Sequence, residues 1–427
     1  MTPLTTSSAA LDRRAVHDRF GRIRARTRTL FEMIRDDAYY SRPIALRNPI
    51  VFYEGHLPAF AVNTLLKRAL GQPGIDSHLE DIFARGIDPE SEAASLARGN
   101  PAWPDRDTVR AFAEEADRRI AEALRTADLV RNDRPLLRGG EAVWAILEHE
   151  EMHQETLLYM WHQLPYEQKR APEEYETLTF AEPVMADGRV RIPAGRATLG
   201  TAAAEPFAWD NERPAHTVDV PAFEVDAHNI TNALYLAYMD ANPRVTPPAF
   251  WECDGGTWYW RGMFERVPLP ADWPVYVTWA EADEYARWAG GRLPTEAEYH
   301  RAAFGTPSGL ERWHPWGEDT PSPRHGNFDF ERFDPVAVGS RPDGASAWGV
   351  HDLVGNGWEW TSTVFTGFDG FQPLASYPEY SADFFDGEHY VMKGASPVTA
   401  RELLRPGFRN WFRPRYPYVY ATFRCVR

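Results

Sequence analysis

The chain changes character once, after Leu164, and that break limits the fold more than any other feature. Before it, residues 11–35, 49–70, 105–127 and 141–164 carry apolar side chains at helical spacing. In the first stretch these are Phe20, Ile23, Leu30, Phe31 and Ile34; in the third, Val109, Phe112, Ala113, Ala116 and Ile120, with Asp105 and Asp107 as candidate caps. After the break, residues 165–189 are dense in charge, proline and glutamate. From Val190 onward short strand-like runs alternate with clusters of Gly, Pro, Asn and Asp. Runs 190–199 and 216–225 read as strands, and 279–289 is the clearest helix, ending at Gly290 and Gly291. The pattern predicts an α+β multidomain protein. A four-helix bundle is expected over 1–170, a linker over 171–187, and an irregular, loop-rich α+β domain over 188–427. At 427 residues, two cores are the natural expectation.

Composition narrows the class. A net charge of -16 argues against a nucleic-acid partner, because phosphate binding needs a clustered basic surface. Sixteen tryptophans supply material for packed cores and for an aromatic-lined pocket. Residues 1–25 hold no apolar run, interrupted as they are by Arg13, Arg14, Asp18, Arg19 and Arg22, and no stretch reaches the length of a membrane span. The only cysteines, Cys253 and Cys425, are expected to be reduced. The expectation is a cytoplasmic enzyme of small molecules, with no nucleic acid, no membrane and no obligatory protein partner.

Chemistry concentrates in the run His149-Glu-Glu-Met-His153, inside the proline-free stretch 141–164. Histidines four apart lie one above the other on a helical face, so both imidazoles can reach one metal ion. As a bare pattern the run is H-E-x-x-H, the zinc-peptidase helix, with Glu150 as general base. A different metal with another third ligand, or two ordinary polar residues, fits the spacing equally well.

A set of phrases in the second half is specific as a set and in order. They are Arg191-Ile-Pro-Ala-Gly195, Leu199-Gly200, Asn211-Glu-Arg-Pro214, Trp279, Gly291-Arg-Leu-Pro-Thr-Glu-Ala-Glu298, Pro315-Trp-Gly317, Asp352-Leu-Val-Gly-Asn-Gly-Trp-Glu-Trp360 and Phe423-Arg-Cys-Val-Arg427. Over 188–427 they resemble the formylglycine-generating-enzyme family, which implies a C-type-lectin-like fold. That family's copper-binding cysteine pair has no counterpart, since Cys425 stands alone near the end. With the helical half included, the whole chain resembles the ergothioneine-type sulfoxide synthases, in which a DinB-like bundle is fused to this domain. The resemblance implies three histidines on non-haem Fe(II), here His56 of Tyr53-Glu-Gly-His56 together with His149 and His153. Three neutral imidazoles leave coordination places open, as in oxygen-activating iron sites. A zinc peptidase takes its third ligand downstream of the helix, and no Glu or His is so placed on the bundle side. A zinc hydrolase and an idle ligand-binding module stand as the alternatives from other classes.

The resemblance also implies residues around the metal. Tyr377-Pro-Glu-Tyr-Ser381 resembles a tyrosine-rich segment that supplies a proton donor, Tyr377, and a pocket residue, Tyr380. Phe408-Arg-Asn-Trp-Phe412 resembles the hercynine-binding stretch. Asn410 and Trp411 would meet the quaternary ammonium with a polar oxygen and an aromatic face.

Three departures bear on the second substrate. Phe412 stands where an acidic residue is common, and Met152 where a glutamine is common. The loop at 81–103 offers only Arg85 and Arg98 rather than a close arginine pair. A phenylalanine pairs no ammonium, and without the arginines the carboxylates of an amino-acid thiol go unpaired. A neutral sugar needs hydrogen bonds and an apolar wall instead. The phrase Asn48-Pro-Ile-Val-Phe-Tyr-Glu-Gly-His56 likewise resembles the selenoneine synthases, a branch that couples hercynine to a selenosugar. The expectation is an Fe(II)- and O2-dependent synthase forming a C–Se bond at the hercynine C2 and giving a selenoxide. The alternative within the family is C–S bond formation with γ-glutamylcysteine or cysteine.

Overall fold

The computed structural model describes residues 11–84, 102–178 and 188–427. The chain divides into two units: residues 1–174 together with Ala375–Tyr377, and residues 175–374 together with 378–427.

The first unit is helical. Helix α1 (Arg13–Glu32) starts at Asp12, whose carboxylate accepts the amides of Arg14 and Ala15. Helix α2 (Ile50–Ala61) is buried on nearly every side. Pro58 lies inside it and has no N–H to give the preceding turn. From Val62 to Ala69 the run continues as a π-helix, a form often found at functional sites. A short α3 (Ser77–Ile82), which the periodicity did not suggest, precedes α4 (Arg106–Thr126) and α5 (Glu141–Gln163). Asp105 caps α4 by accepting from the Thr108 amide. Val16, Phe20 and Ile23 of α1 pack with Val62, Leu65, Ile120, Leu124, Val143 and Leu147 in one apolar core. The four long segments expected from periodicity are therefore the bundle, and the π-helical turn is the addition.

The second unit is built from short strands. Each expected strand over 190–199 and 216–225 resolves into two: β1 (Arg189–Ile192) and β2 (Gly195–Leu199), then β3 (His216–Val220) and β4 (Phe223–Asp226). β1 pairs with β4, and β2 with β3, both antiparallel. Gly200 closes β2 at φ +80°, where a Cβ would meet the carbonyl oxygens of Pro214 and Glu212 at 2.8 and 2.9 Å. A three-stranded meander follows, β5 (Trp251–Asp254), β6 (Thr257–Arg261) and β7 (Arg266–Pro268). The main sheet runs β10 (Asn410–Phe412), β9 (Tyr390–Ala395), β8 (Gly357–Val364) and β11 (Ala421–Thr422). Three helices accompany the strands: α6 (Asn232–Ala241), α7 (Trp279–Trp288) and α8 (Glu296–Phe304). Tyr299, Ala302 and Phe304 of α8 pack on Ile192, Ala197, Val220 and Val225. Helices α7 and α8 both begin in capping boxes, Thr278 with Glu281 and Thr295 with Glu298.

Among the described residues, no helix is long and apolar enough to cross a membrane. Cys253 is exposed and Cys425 buried, and both are free thiols.

Candidate metal centre

Helix α2 carries His56, and α5 carries His149 and His153 one turn apart. One ligand nitrogen from each of the three lies within 4.8 Å of the others, and all three side chains are buried. Among the described residues no other group of three His, Cys, Asp or Glu side chains has this geometry. His56 Nδ1 lies 2.7 Å from the Phe83 carbonyl oxygen. A carbonyl only accepts, so Nδ1 carries the proton and Nε2 keeps its lone pair. That Nε2, His149 Nε2 and His153 Nδ1 are buried without a hydrogen-bond partner. Burial also lowers all three basicities: His56 falls to about 4, and His149 and His153 fall well below the usual imidazole value, His149 helped by His153 and His56 and His153 by His56 and Arg47. The imidazoles are neutral. Buried ring nitrogens without partners are costly, and a set of three imidazoles this close fits a metal ion, which would satisfy them.

The surroundings explain the placement. Gly55 lets Phe83 approach the helix, because a Cβ there would sit 2.3 Å from the Phe83 ring. Close approach is what brings the Phe83 carbonyl to His56, a partner that fixes tautomer and ring orientation. Phe52 lies against the His56 ring at 4.9 Å, and Phe60 stacks on His149 at 3.6 Å and 11°. Phe60 is one turn beyond His56, a spacing readable in the sequence; nothing in the sequence pointed to Phe83.

Glu150 is engaged elsewhere. It accepts from Arg24 Nη1 at 2.7 Å and from the Thr27 hydroxyl, both on α1. Burial raises its carboxyl while Arg24 opposes that shift. Glu151 is held by Arg19, also on α1. The base of a zinc-peptidase helix would have to face the metal, whereas this carboxylate is committed to the bundle interior.

The structure brings Tyr377 to the helical unit, with its ring 5.3 Å from Phe60 and 6.0 Å from His149. Met152 is half-buried on α5 beside His153. Tyr380, Asn410, Trp411 and Phe412 belong to the second unit. There Tyr380 stacks on Trp209 at 4.0 Å and meets the Trp411 ring edge-on at 5.3 Å. Trp411 lies parallel to Phe365 at 4.2 Å. Asn410 Oδ1 accepts the Trp411 amide at 2.9 Å, and Phe412 stacks on Tyr416 at 5.0 Å. Trp209 and Phe365 extend this aromatic row beyond the residues read from sequence. Arg85 and Arg98 lie outside the described residues.

Two protein-family models match the chain, the DinB superfamily over residues 19–157 and the sulfatase-modifying factor enzyme 1-like domain over 175–427. Hercynine oxygenase of Mycolicibacterium thermoresistibile is 33% identical across 95% of this chain and 93% of its own length. The chain belongs to the hercynine oxygenase family, the ergothioneine-type sulfoxide synthases. A second hercynine oxygenase, from Mycolicibacterium smegmatis, is 33% identical over 94% of this chain and 96% of its own. Ergothioneine biosynthesis protein 1 of Neurospora crassa, a longer member, is 28% identical over 93% of this chain and 56% of its own.

Proposed function

We propose that this chain is a non-haem Fe(II), dioxygen-dependent synthase that joins the imidazole C2 of hercynine to a selenosugar such as selenoglucose. The observation that carries the metal chemistry is the cluster of His56, His149 and His153, three neutral nitrogen donors with buried, unpartnered lone pairs. These three imidazoles would hold Fe(II), which would supply the redox chemistry with dioxygen and a soft chalcogen donor. In the overall reaction the C2–H and Se–H bonds break and a C–Se bond forms. Four electrons pass to O2; one oxygen ends on selenium as the selenoxide and the other leaves as water.

The chain's own residues divide the remaining work. Tyr377, packed beside His149, is the proton donor on the oxygen side, since a phenol gives up a proton only to a strong acceptor at neutral pH. Trp411 and Tyr380 are the aromatic residues assigned to the trimethylammonium, and Asn410 the polar one. Phe412, stacked on Tyr416, gives an apolar wall where an amino-acid ammonium would need a carboxylate, which favours a sugar. Met152, half-buried beside His153 on α5, is a further substrate-side residue of the helical unit.

A second reading, C–S coupling with γ-glutamylcysteine or cysteine to give a sulfoxide, is favoured by the relatives whose names are hercynine oxygenase and ergothioneine biosynthesis protein 1. The deciding experiment loads the protein with Fe(II) anaerobically, adds hercynine with selenoglucose and γ-glutamylcysteine together, and admits oxygen. The hercynyl selenoxide should dominate. No hercynyl conjugate would sink the synthase reading, and a higher kcat/KM for the thiol would replace selenium by sulfur.

A further inference from the structure

Tyr377 sits in chain that has no ladder to hold it. Residues 371–377 form neither helix nor strand, and Pro378 restricts the backbone of Tyr377 before it. Two charged side chains of the helical unit restrain the residues before Tyr377. Arg68 donates from Nη2 to the Ala375 carbonyl at 2.8 Å and from Nη1 to the Ser376 carbonyl at 3.0 Å. Glu141 Oε1 accepts the Ser376 amide at 2.8 Å. Two consecutive carbonyls and one amide, all in the two residues before Tyr377, are thereby fixed. Arg68 reaches them from the solvent side, Glu141 from a half-buried position, and Ser376 between them is fully buried.

Both clamp residues stand on the elements that carry the histidines. Arg68 lies on the π-helical continuation of α2, twelve positions after His56; Glu141 is the first residue of α5, eight before His149. Bonding from i to i+5 widens the turn, so every residue after Ala61 is rotated from where a continued α-helix would place it. The direction of Arg68 is set by that irregularity. The distance between the phenol and the imidazole cluster is thus tied to the same rigid supports as the cluster.

We infer that Arg68 and Glu141 are positioning residues that hold the Tyr377 phenol at the three-histidine centre. This rests on Tyr377 acting as the proton donor. Loosening a reacting group by about 1 Å costs on the order of a hundredfold in rate. Arg68→Ala should therefore lower kcat of the O2-dependent coupling by up to about that factor. KM and iron content should change little, and Arg68→Lys should recover part of the loss.

Two further measurements separate positioning from general damage. In metal-free protein, amide exchange at Ser376 should accelerate in Glu141→Ala and in Arg68→Ala while exchange within α5 stays slow. In a Tyr377→Phe background, Arg68→Ala should cost nothing more, because its effect passes through the phenol. Unchanged Ser376 protection, or a full additional loss in the Tyr377→Phe background, would overturn the inference while leaving the donor role intact. A Tyr377→Phe variant with unaltered kcat would instead remove the donor role, and the clamp's purpose with it.

Discussion

The three imidazoles and the pair Arg424–Glu359 are both deeply buried polar groups, completed in opposite ways. In the second unit Arg424 meets Glu359 with two hydrogen bonds of 2.6 Å and gives its remaining donors to the carbonyls of Asp226, Ala227 and His351. Arg405 grips Glu212 in the same bidentate manner, and Arg409 Nε reaches Glu296 at 3.1 Å. Every one of those pairs is closed. In the helical unit Arg24 and Glu150 are likewise closed, but His56, His149 and His153 each keep a buried ring nitrogen without a hydrogen-bond partner, and the three rings cluster within metal-ligand reach. A buried charge that is fully paired is scaffold; a cluster of buried imidazoles with unpartnered nitrogens has the donor set of a metal site.

The largest effect expected from this contrast falls on the closed side. Arg424→Ala leaves Glu359 buried and unpaired, which should cost roughly 3–5 kcal/mol of stability, read by denaturant unfolding of the metal-loaded protein. Iron bound per folded chain should stay the same. A variant of near-native stability, or one that folds but loses its metal, would break the division between scaffold and site.

A smaller effect belongs to the open side and concerns the metal-free protein. His56 has a folded value near 4, against about 6.5 for an unfolded imidazole. Below pH 6.5 the unfolded chain takes up a proton that the folded chain refuses, so stability is complete above that pH and is lost as pH falls toward 4. The slope approaches roughly 1.4 kcal/mol per pH unit for one such group. His149 and His153, shifted the same way, steepen it. The Tm of metal-free protein should drop between pH 7 and 5, and less so in His56→Gln. Equal drops in both proteins would mean that His56 is not buried neutral.

The same contrast explains what could be read from the sequence. The bundle helices were legible because their apolar faces repeat with the helical period, and the i,i+4 histidines follow from that geometry. The phrases of the second half were legible as a resemblance, and the structure shows what several of them do. Glu359 lies in the phrase ending at Trp360 and Arg424 in the last five residues, and these two close one ion pair. Thr295 and Glu298, inside the phrase from Gly291, are the capping box of α8, a helix that the capping pattern alone would have revealed. Other features had no local signature. The Phe83 carbonyl reaches His56 across 27 residues, and Arg68 reaches Ser376 across 308. Backbone acceptors carry no residue code, so a sequence cannot announce them. The π-helical stretch was equally hidden, since its residues keep an apolar pattern compatible with an ordinary helix.

Whether three histidines from two helices form one iron site is answered by anaerobic Fe(II) titration of metal-free protein. Wild type, His56→Ala, His149→Ala and His153→Ala would be compared, with circular dichroism confirming that each is folded. One tightly held Fe(II) per wild-type chain is expected, with no stoichiometric tight binding in any of the three variants. A folded variant that still binds one equivalent as tightly as wild type would contradict a single three-histidine site.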